Sequence, residues 1–473
     1  MKRVLLFVWA VLCASPLIAA ERPNILFIFT DDQAPWALGL SGHPHAKTPN
    51  MDRLFREGAY LVNAFTTTPV CSPSRAGLMA SRYGTELGIT DWINPRKEPN
   101  HGLDPKTVTW PKLLAEAGYR TGLIGKWHLG TLDRFHPTKF GYQYFMGFRS
   151  GGNTPSDPTL EINGKRKKLK GLLPDILTND AVEFIHRESE RPFLLSLHFR
   201  APHARWLPVA AEDWSPFKDL DPILPHPDYP NLDIPRVKRM TREYLASVAS
   251  VDRNLGRLLA ELDKLNLTHN TVVIFSSDHG YNMGHNGIWH KGNGHWVVKP
   301  LPPATDNIPK GQRPNMYDHS IRVPTAVRWP GVIEPGTKIT QSISNLDWFP
   351  TLLAMAGVEL PKNVTLRGRN FLPLLKGESP DWENGFYAQY STHHQSKTHM
   401  RMYRTPDWKL IVDFNDSTRD ELYSLKTDPQ ERENLIESKD PNVQRIRALL
   451  SQKLRAKMND IDDPALKLDR GGF

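Results

Sequence analysis

The chain has 473 residues and a formal net charge of +9, with 39% hydrophobic and 23% charged residues. That length holds one large domain and a smaller one, and the balance excludes a disordered or fibrous chain. No internal stretch reaches the ~18 consecutive apolar residues of a membrane span, and the basic residues are scattered, which argues against a nucleic-acid partner.

In chain order, Lys2 and Arg3 precede the apolar run Val4 to Leu12, and Ala19-Ala20 follows. This layout predicts a secretory signal peptide over residues 1–20, cleaved near Ala20, and a periplasmic or secreted mature protein. Cys13 falls inside that segment, so Cys71 is left alone in a compartment where cysteines normally pair. Asn24 to Thr30 is a continuous apolar run of strand length that ends in Asp31-Asp32-Gln33. After Cys71, Pro73 suits the first turn of a helix continued by Ala76 to Tyr83. A further helix is predicted from a Thr107 cap to Gly118. A strand at Thr121 to Ile124 ends in Gly125-Lys126-Trp127-His128. The basic run Lys165 to Lys170, bounded by glycines, reads as a solvated turn. Phe193 to Phe199 is a strand that runs into Ala201-Pro202-His203. From Tyr244, residues Val248, Val251, Leu255, Leu258, Leu262 and Leu265 form one face of a long helix. Thr271 to Ser276 is a strand that ends at Asp278-His279-Gly280.

Apolar runs without alternation suit strands buried on both faces. Their alternation with helices predicts an α/β fold, a large mixed, mostly parallel sheet sandwiched by helices. From about Gly377 the pattern changes to short strands at Gly385 to Tyr390, Met400 to Thr405, Trp408 to Phe414 and Glu421 to Ser424. A last helix carries Val443, Ile446, Leu450 and Leu454 on one side. The expected division is an α/β catalytic domain over 21–376 and a C-terminal α+β subdomain over 377–473. The 40 prolines imply long connections.

Four predicted strands thus end in Asp, His or Lys, and open α/β sheets bind ligands outside the carboxyl ends of their strands. Asp31, Asp32 and Asp278 packed together would repel and raise each other's pKa. A hard divalent cation, calcium or magnesium, removes that repulsion. Lys126, His128, His203 and Lys291 add positive charge and acid–base groups, a set suited to an anion such as phosphate or sulfate. Cys71 near a helix N-terminus, with Arg75 one turn on, supplies a candidate nucleophile where backbone N–H groups attract anions. There is no Gly-x-Ser-x-Gly elbow and no P-loop. The sequons at Asn266, Asn363 and Asn415 carry little information.

Cys71-Ser72-Pro73-Ser74-Arg75, continued by Ala76 to Gly84, resembles the signature of the type I sulfatases of the alkaline-phosphatase superfamily. The other family motifs occur in order: Arg22-Pro23-Asn24 leading to Asp31-Asp32, Gly125 to Gly130, Pro202-His203, Ser277 to Gly280, and Ile321 to Pro324. The resemblance spans about residues 22 to 435. It implies that a maturation enzyme oxidises Cys71 to formylglycine, and that calcium is held by Asp31, Asp32, Asp278, His279 and the modified Cys71. It also implies that a hydroxyl of the hydrated aldehyde attacks sulfur while Lys126, Arg75 and Lys291 stabilise the sulfate oxygens. His203 would protonate the leaving oxygen, and His128 would deprotonate the second hydroxyl so that sulfate leaves.

The Gly280 to Lys291 loop resembles loops of bacterial carbohydrate sulfatases, which implies a sulfated glycan substrate. His285, Trp289, His290, His393 and His394 are the candidate sugar-binding residues. Aryl or alkyl sulfates, a formylglycine-dependent phosphodiesterase or phosphonate hydrolase, and a silent carbohydrate-binding relative are the alternatives.

Overall fold

The computed structural model describes residues 22–468, so the signal-peptide segment, its cleavage site and Cys13 lie outside the described residues. Its centre is a ten-stranded sheet. In chain order the strands are β1 (Asn24–Thr30), β2 (Ala59–Leu61), β3 (Arg120–Lys126), β4 (Tyr144–Phe148) and β5 (Thr159–Ile162). They continue with β6 (Lys165–Lys168), β7 (Phe193–His198), β8 (Thr271–Ser277), β9 (Ala326–Arg328) and β10 (Thr337–Ile339). Their spatial order is β10-β2-β9-β8-β1-β7-β3-β4-β5-β6. The central strands β8, β1, β7, β3 and β4 are mutually parallel, and β9, β5 and β6 join antiparallel.

The unalternated runs have a direct cause. Successive side chains of a strand point to opposite faces, and here both faces are covered. Leu26 and Ile28 of β1 pack into one core with helices α1 (Pro49–Glu57), α4 (Leu173–His186) and α5 (Ile234–Lys264). Ile25, Phe27 and Phe29 pack into the other with α2 (Cys71–Ala80), α3 (Trp110–Glu116) and α6 (Trp348–Met355).

Two local expectations are corrected. The helix expected from Thr107 begins at Trp110 instead. Thr107 closes a turn by donating its N–H to the Asp104 carbonyl, and the hydroxyl of Thr109 bonds the Phe140 carbonyl rather than capping. The basic run expected to be a turn is strand β6, paired antiparallel with β5. The turn is the pair before it, Asn163 (φ 49°) and Gly164 (φ 77°), whose positive φ values suit a two-residue hairpin.

A separate four-stranded antiparallel sheet holds β11 (Phe386–Thr392), β12 (Thr398–Arg404), β13 (Trp408–Asp413) and β14 (Glu421–Ser424). Helix α7 (Pro441–Asp460) covers one face through Leu450, Leu454 and Met458. The other face carries Phe386, Ala388, Tyr390, Met400 and Met402, and packs on Phe65, Val70, Ile288 and Ile321. Buried ion pairs accompany that contact: Asp318 with Arg404 (2.8 Å) and Lys409 (2.6 Å), and Lys409 with Glu431 (2.5 Å). No helix among the described residues is long and apolar enough to cross a membrane.

Candidate active site

The parallel strands β1, β3, β7 and β8 run side by side, so their carboxyl ends meet. Asp31 and Asp32 follow β1, Lys126 ends β3, with His128 two residues on, His198 ends β7, and Asp278 and His279 follow β8. Residue Asp32 (φ 72°) and His128 (φ 62°) hold left-handed backbone. Such conformations cost about 1–3 kcal/mol and collect at functional sites. Two contacts hold Asp32 in place: Tyr244 of α5 donates its hydroxyl to the Asp32 carbonyl (2.7 Å), and the Asp32 N–H reaches Asp278 Oδ1 (3.2 Å).

Asp31, Asp32, Asp278 and His279 are fully buried. Ligand atoms of Asp31, Asp32, Cys71 and His279 lie within 4.8 Å of one another. His279 Nε2 is 3.3 Å from Asp32 Oδ1, 3.2 Å from Asp278 Oδ1 and 3.4 Å from Cys71 Sγ. His279 Nδ1 lies 3.1 Å from the Gly280 carbonyl. Only a protonated Nδ1 bonds there, so the Nε2 lone pair points at carboxylates. Asp32 Oδ2 has no hydrogen-bond partner. A lone pair, an orphaned carboxylate oxygen and two further carboxylates around one point fit a hard cation, with His279 braced by Gly280 as a ligating histidine usually is.

Charge in the cluster is uneven. Burial pushes the Asp32 carboxyl up to about 7, helped by Asp31 and Asp278 and opposed by Lys291. Burial also works against Asp31, but Lys126, His203, Lys291 and Arg75 together hold it well below the usual carboxylate range. Lys126 Nζ sits 2.6 Å from Asp31 Oδ2, and Lys291 Nζ sits 2.7 Å from Asp32 Oδ1 and 3.0 Å from Cys71 Sγ. Both ammonium groups are buried. Cys71 is the first residue of α2, and burial pushes its thiol up to about 12. Ser74 donates its hydroxyl to the Asp278 carbonyl, which ties α2 to the end of β8.

Arg75 is 2% exposed and reaches inward. Its Nε pairs with Asp278 Oδ2 (3.0 Å), Nη1 donates to the Lys126 carbonyl (3.1 Å), and Nη2 has no partner. His198 is a contributor that the residue pattern did not single out. It stands 3.4 Å from Arg75 Nη1 and 3.1 Å from the Lys126 carbonyl.

The two candidate proton-transfer histidines are held differently. His128 Nε2 lies 3.1 Å from the Ile93 carbonyl, which places its proton there, and Nδ1 is left buried without a partner. Burial and nearby Lys126 keep the ring neutral. His203 Nδ1 lies 2.6 Å from the Ala204 carbonyl, leaving Nε2 free. Arg200, also not anticipated, fixes that loop by donating to the Ala204 and Arg205 carbonyls.

Of the candidate sugar-binding residues, His290 stands beside His203 (ring centroids 6.4 Å apart), and Trp289 packs on Trp206 and on His290 itself. His393 and His394 follow β11 and meet Asp91 and Glu98: each Nε2 is 3.0 Å from a Glu98 oxygen, and both backbone N–H groups reach Asp91. The same segment abuts the centre, because the N–H of Ile93 bonds Ser72 and its carbonyl bonds His128. His285 is taken elsewhere. Its ring packs on Trp36, His226 and His319, and its Nδ1 receives the Met283 N–H. Tyr390, fully buried on β11, has a hydroxyl without a partner, and burial holds its phenol well above the usual range. A buried aromatic in a strand reads as core, so no sequence signal pointed to it.

Comparison with known proteins adds the following. Residues 23–358 match the family model for sulfatases, and residues 312–460 match the model of the N-sulphoglucosamine sulphohydrolase C-terminal region. An N-acetylglucosamine-6-O-sulfatase of Bacteroides thetaiotaomicron is 28% identical over 97% of this chain and 91% of its own length. A solved structure of a protein in complex with its substrate D-glucosamine-2-N,6-O-disulfate superposes with a TM-score of 0.80 at 26% identity, covering 94% of this chain and 99% of the other. Another, in complex with k-i-k-neocarrahexaose, superposes with a TM-score of 0.73 at 27% identity, covering 92% of each chain.

Proposed function

This chain belongs to the sulfatase family and is a hydrolase of sulfate esters, and from that premise we propose that it removes sulfate from a sulfated carbohydrate, with Cys71 matured to formylglycine and calcium as its metal. The observation that carries the reading is the convergence of Asp31, Asp32, Asp278 and His279 on Cys71, between the ammonium groups of Lys126 and Lys291. The unpartnered Asp32 Oδ2 and the His279 Nε2 lone pair among the carboxylates fit a cation, and Lys126 and Lys291, which now pair with Asp31 and Asp32, are then freed to meet an anion.

Asp31, Asp32, Asp278 and His279 would hold calcium, which draws negative charge from the sulfate group. Formylglycine, once hydrated, supplies two hydroxyls on one carbon, one to displace the alcohol at sulfur and one to release sulfate afterwards. The remaining work falls to the chain's own residues. Lys126 and Lys291 hold the sulfate oxygens and stabilise charge as it moves onto them. Arg75 positions Asp278 through Nε and keeps Nη2 for the same oxygens. His203 acts in its imidazolium form: Nδ1–H stays on the Ala204 carbonyl, and Nε2–H gives its proton to the leaving sugar oxygen, which leaves the ring neutral. His128 Nδ1 takes a proton at the second hydroxyl, its ring held by the Ile93 carbonyl.

A sugar as leaving group is supported by aromatic faces with polar edges near the centre: His290 beside His203, and Trp92 packed on His394 (ring centroids 4.7 Å apart) next to His393. The similarity to the protein solved with D-glucosamine-2-N,6-O-disulfate supports it further. Export through the leader and oxidation by a dedicated maturation enzyme complete the reading.

The experiment is a panel of defined sulfated mono- and disaccharides, led by 6-O-sulfated glucosamine, beside an aryl sulfate and a phosphodiester. Release of sulfate from one sugar at a kcat/KM well above the aryl ester is expected. Turnover of the phosphodiester alone would overturn the reading. Peptide mass spectrometry of the active protein should show the Cys71 thiol replaced by an aldehyde, and full activity with an unmodified thiol would reject formylglycine.

A further inference from the structure

The basic run over residues 165–170 has no part in the site above and lies on an edge of the main sheet. Strand β6 is the last strand of the main sheet, and Lys165, Arg166, Lys167, Lys168 and Lys170 are all exposed. Charged edge strands also protect sheets from pairing with other chains, and either face of β6 would serve that purpose. The two faces differ here. Arg166 lies opposite Glu161 and Lys168 opposite Thr159, and these four residues line one cleft. Lys165 and Lys167 lie opposite Ile162 and Leu160 and point to the other face.

The cleft is about 800 Å³ in volume, and its inner wall is Thr131 with Gly147, Phe148, Arg149, Ser150 and Gly152. That wall is also the backing of His128. The His128 N–H bonds the Arg149 carbonyl (3.2 Å) and the Trp127 N–H bonds the Phe148 carbonyl (3.0 Å). A Cβ on Gly151 would stand 2.5 Å from His128 Cε1. The cleft therefore shares its inner wall with the backbone that holds His128 and extends from there to β6.

Its charge is unbalanced. Glu161 is consumed by Arg149 (2.8 Å) and His136 (3.0 Å), and Arg149 also takes Asp133 (2.7 Å). Asp157 also lines the cleft and accepts the Gly171 N–H, but among the described residues neither Arg166 nor Lys168 has an ion-pair partner, and the lining cations Arg149, Arg166 and Lys168 outnumber the carboxylates Glu161 and Asp157. A concave surface with two unpaired cations at its outer end fits an extended anionic ligand whose near end lies at the sulfate-ester site.

We propose that this cleft binds the rest of an anionic glycan chain, with Arg166 and Lys168 contacting sulfate or carboxylate groups on sugars beyond the one that loses its sulfate. The enzyme then prefers oligosaccharides to monosaccharides. This rests on the sulfated-carbohydrate reading of the site.

The test compares the wild-type protein with two double variants, Arg166→Ala/Lys168→Ala on the cleft face and Lys165→Ala/Lys167→Ala on the opposite face. Binding of a heparin hexasaccharide, used as an anionic-glycan probe, is titrated by calorimetry at two salt concentrations. The cleft-face variant should bind about tenfold more weakly, a difference that two surface cations can supply, and with less salt dependence. The opposite-face variant should bind like wild type. For a sulfated oligosaccharide substrate the cleft-face variant should raise KM, by a factor that shrinks as the substrate is shortened. Equal losses in both variants, no loss in either, or equal affinity for a single-stranded DNA of the same charge would overturn the proposal. Binding is read without turnover: if no sulfated sugar is hydrolysed, the reading of the centre fails, while the contrast between the two faces still decides the cleft.

Discussion

At the scale of the residue, the two histidines proposed to move protons differ in hydrogen-bond partner. His128 is anchored through Nε2 and His203 through Nδ1, so opposite ring nitrogens are left without a carbonyl partner. His203→Ala is expected to slow sugar sulfates by about 10²–10⁴-fold, the usual worth of a general acid, and activated aryl sulfates far less. His128→Ala should slow both alike and let a sulfated enzyme accumulate, visible by mass spectrometry. The reverse pattern would exchange the two roles. Calcium is testable without turnover. With Asp31, Asp32 and Asp278 buried together, a bound cation relieves repulsion present only in the folded state. Free calcium at a hundred times its Kd should add about 2.7 kcal/mol of stability, read as a rise in Tm that a chelator reverses and Asp32→Asn diminishes. An unchanged Tm on calcium addition would count against the site.

At the scale of the element, strand ends and glycines decide what reaches the centre. Gly151 is required by proximity: a methyl group there meets the His128 ring at 2.5 and 2.6 Å, and the ring is already held by Ile93. Gly151→Ala should therefore cut kcat about 10–100-fold through misplacement of the imidazole, a loss of the size that small displacements cause, with circular dichroism unchanged. Retention of wild-type kcat would show that the ring is free to move. Strands β1, β3, β7 and β8 were legible because both of their faces are buried, which leaves unbroken apolar runs. Strand β6 was not, because an edge strand needs no apolar side chains. Its only signal was the Asn163-Gly164 pair, which marks a hairpin.

At the scale of the molecule, a cluster of histidines away from the centre contributes to the loss of stability in acid, as do the buried histidines of the site. His43, His226, His285 and His319 pack around Trp36 and one another. Burial lowers all four, His43 and His319 to about 4. A depressed folded value means that the unfolded chain takes up protons first. The stabilisation is therefore complete above the unfolded value of about 6.5 and is lost as pH falls toward 4. Chemical denaturation between pH 7 and 5, mostly above the range where exposed carboxylates titrate, should show falling stability. His43→Asn should flatten that slope, and an identical slope in the variant would remove His43 from the account.

The sequence by itself determined the layered α/β core, the C-terminal antiparallel sheet and which polar residues stand at the strand ends. These follow from which side chains are apolar and from where the apolar runs stop. Only the tertiary structure decided which of those groups meet. It turned Arg75 onto Asp278, withdrew His285 into a cluster with Trp36 and His319, packed Tyr390 of the second sheet with Phe65 and Val70, and brought His394, just beyond that strand, onto Trp92. The reason is physical: a side chain's type is local, but its neighbours are fixed by the register and packing of strands hundreds of residues apart, and a single sequence does not print that register.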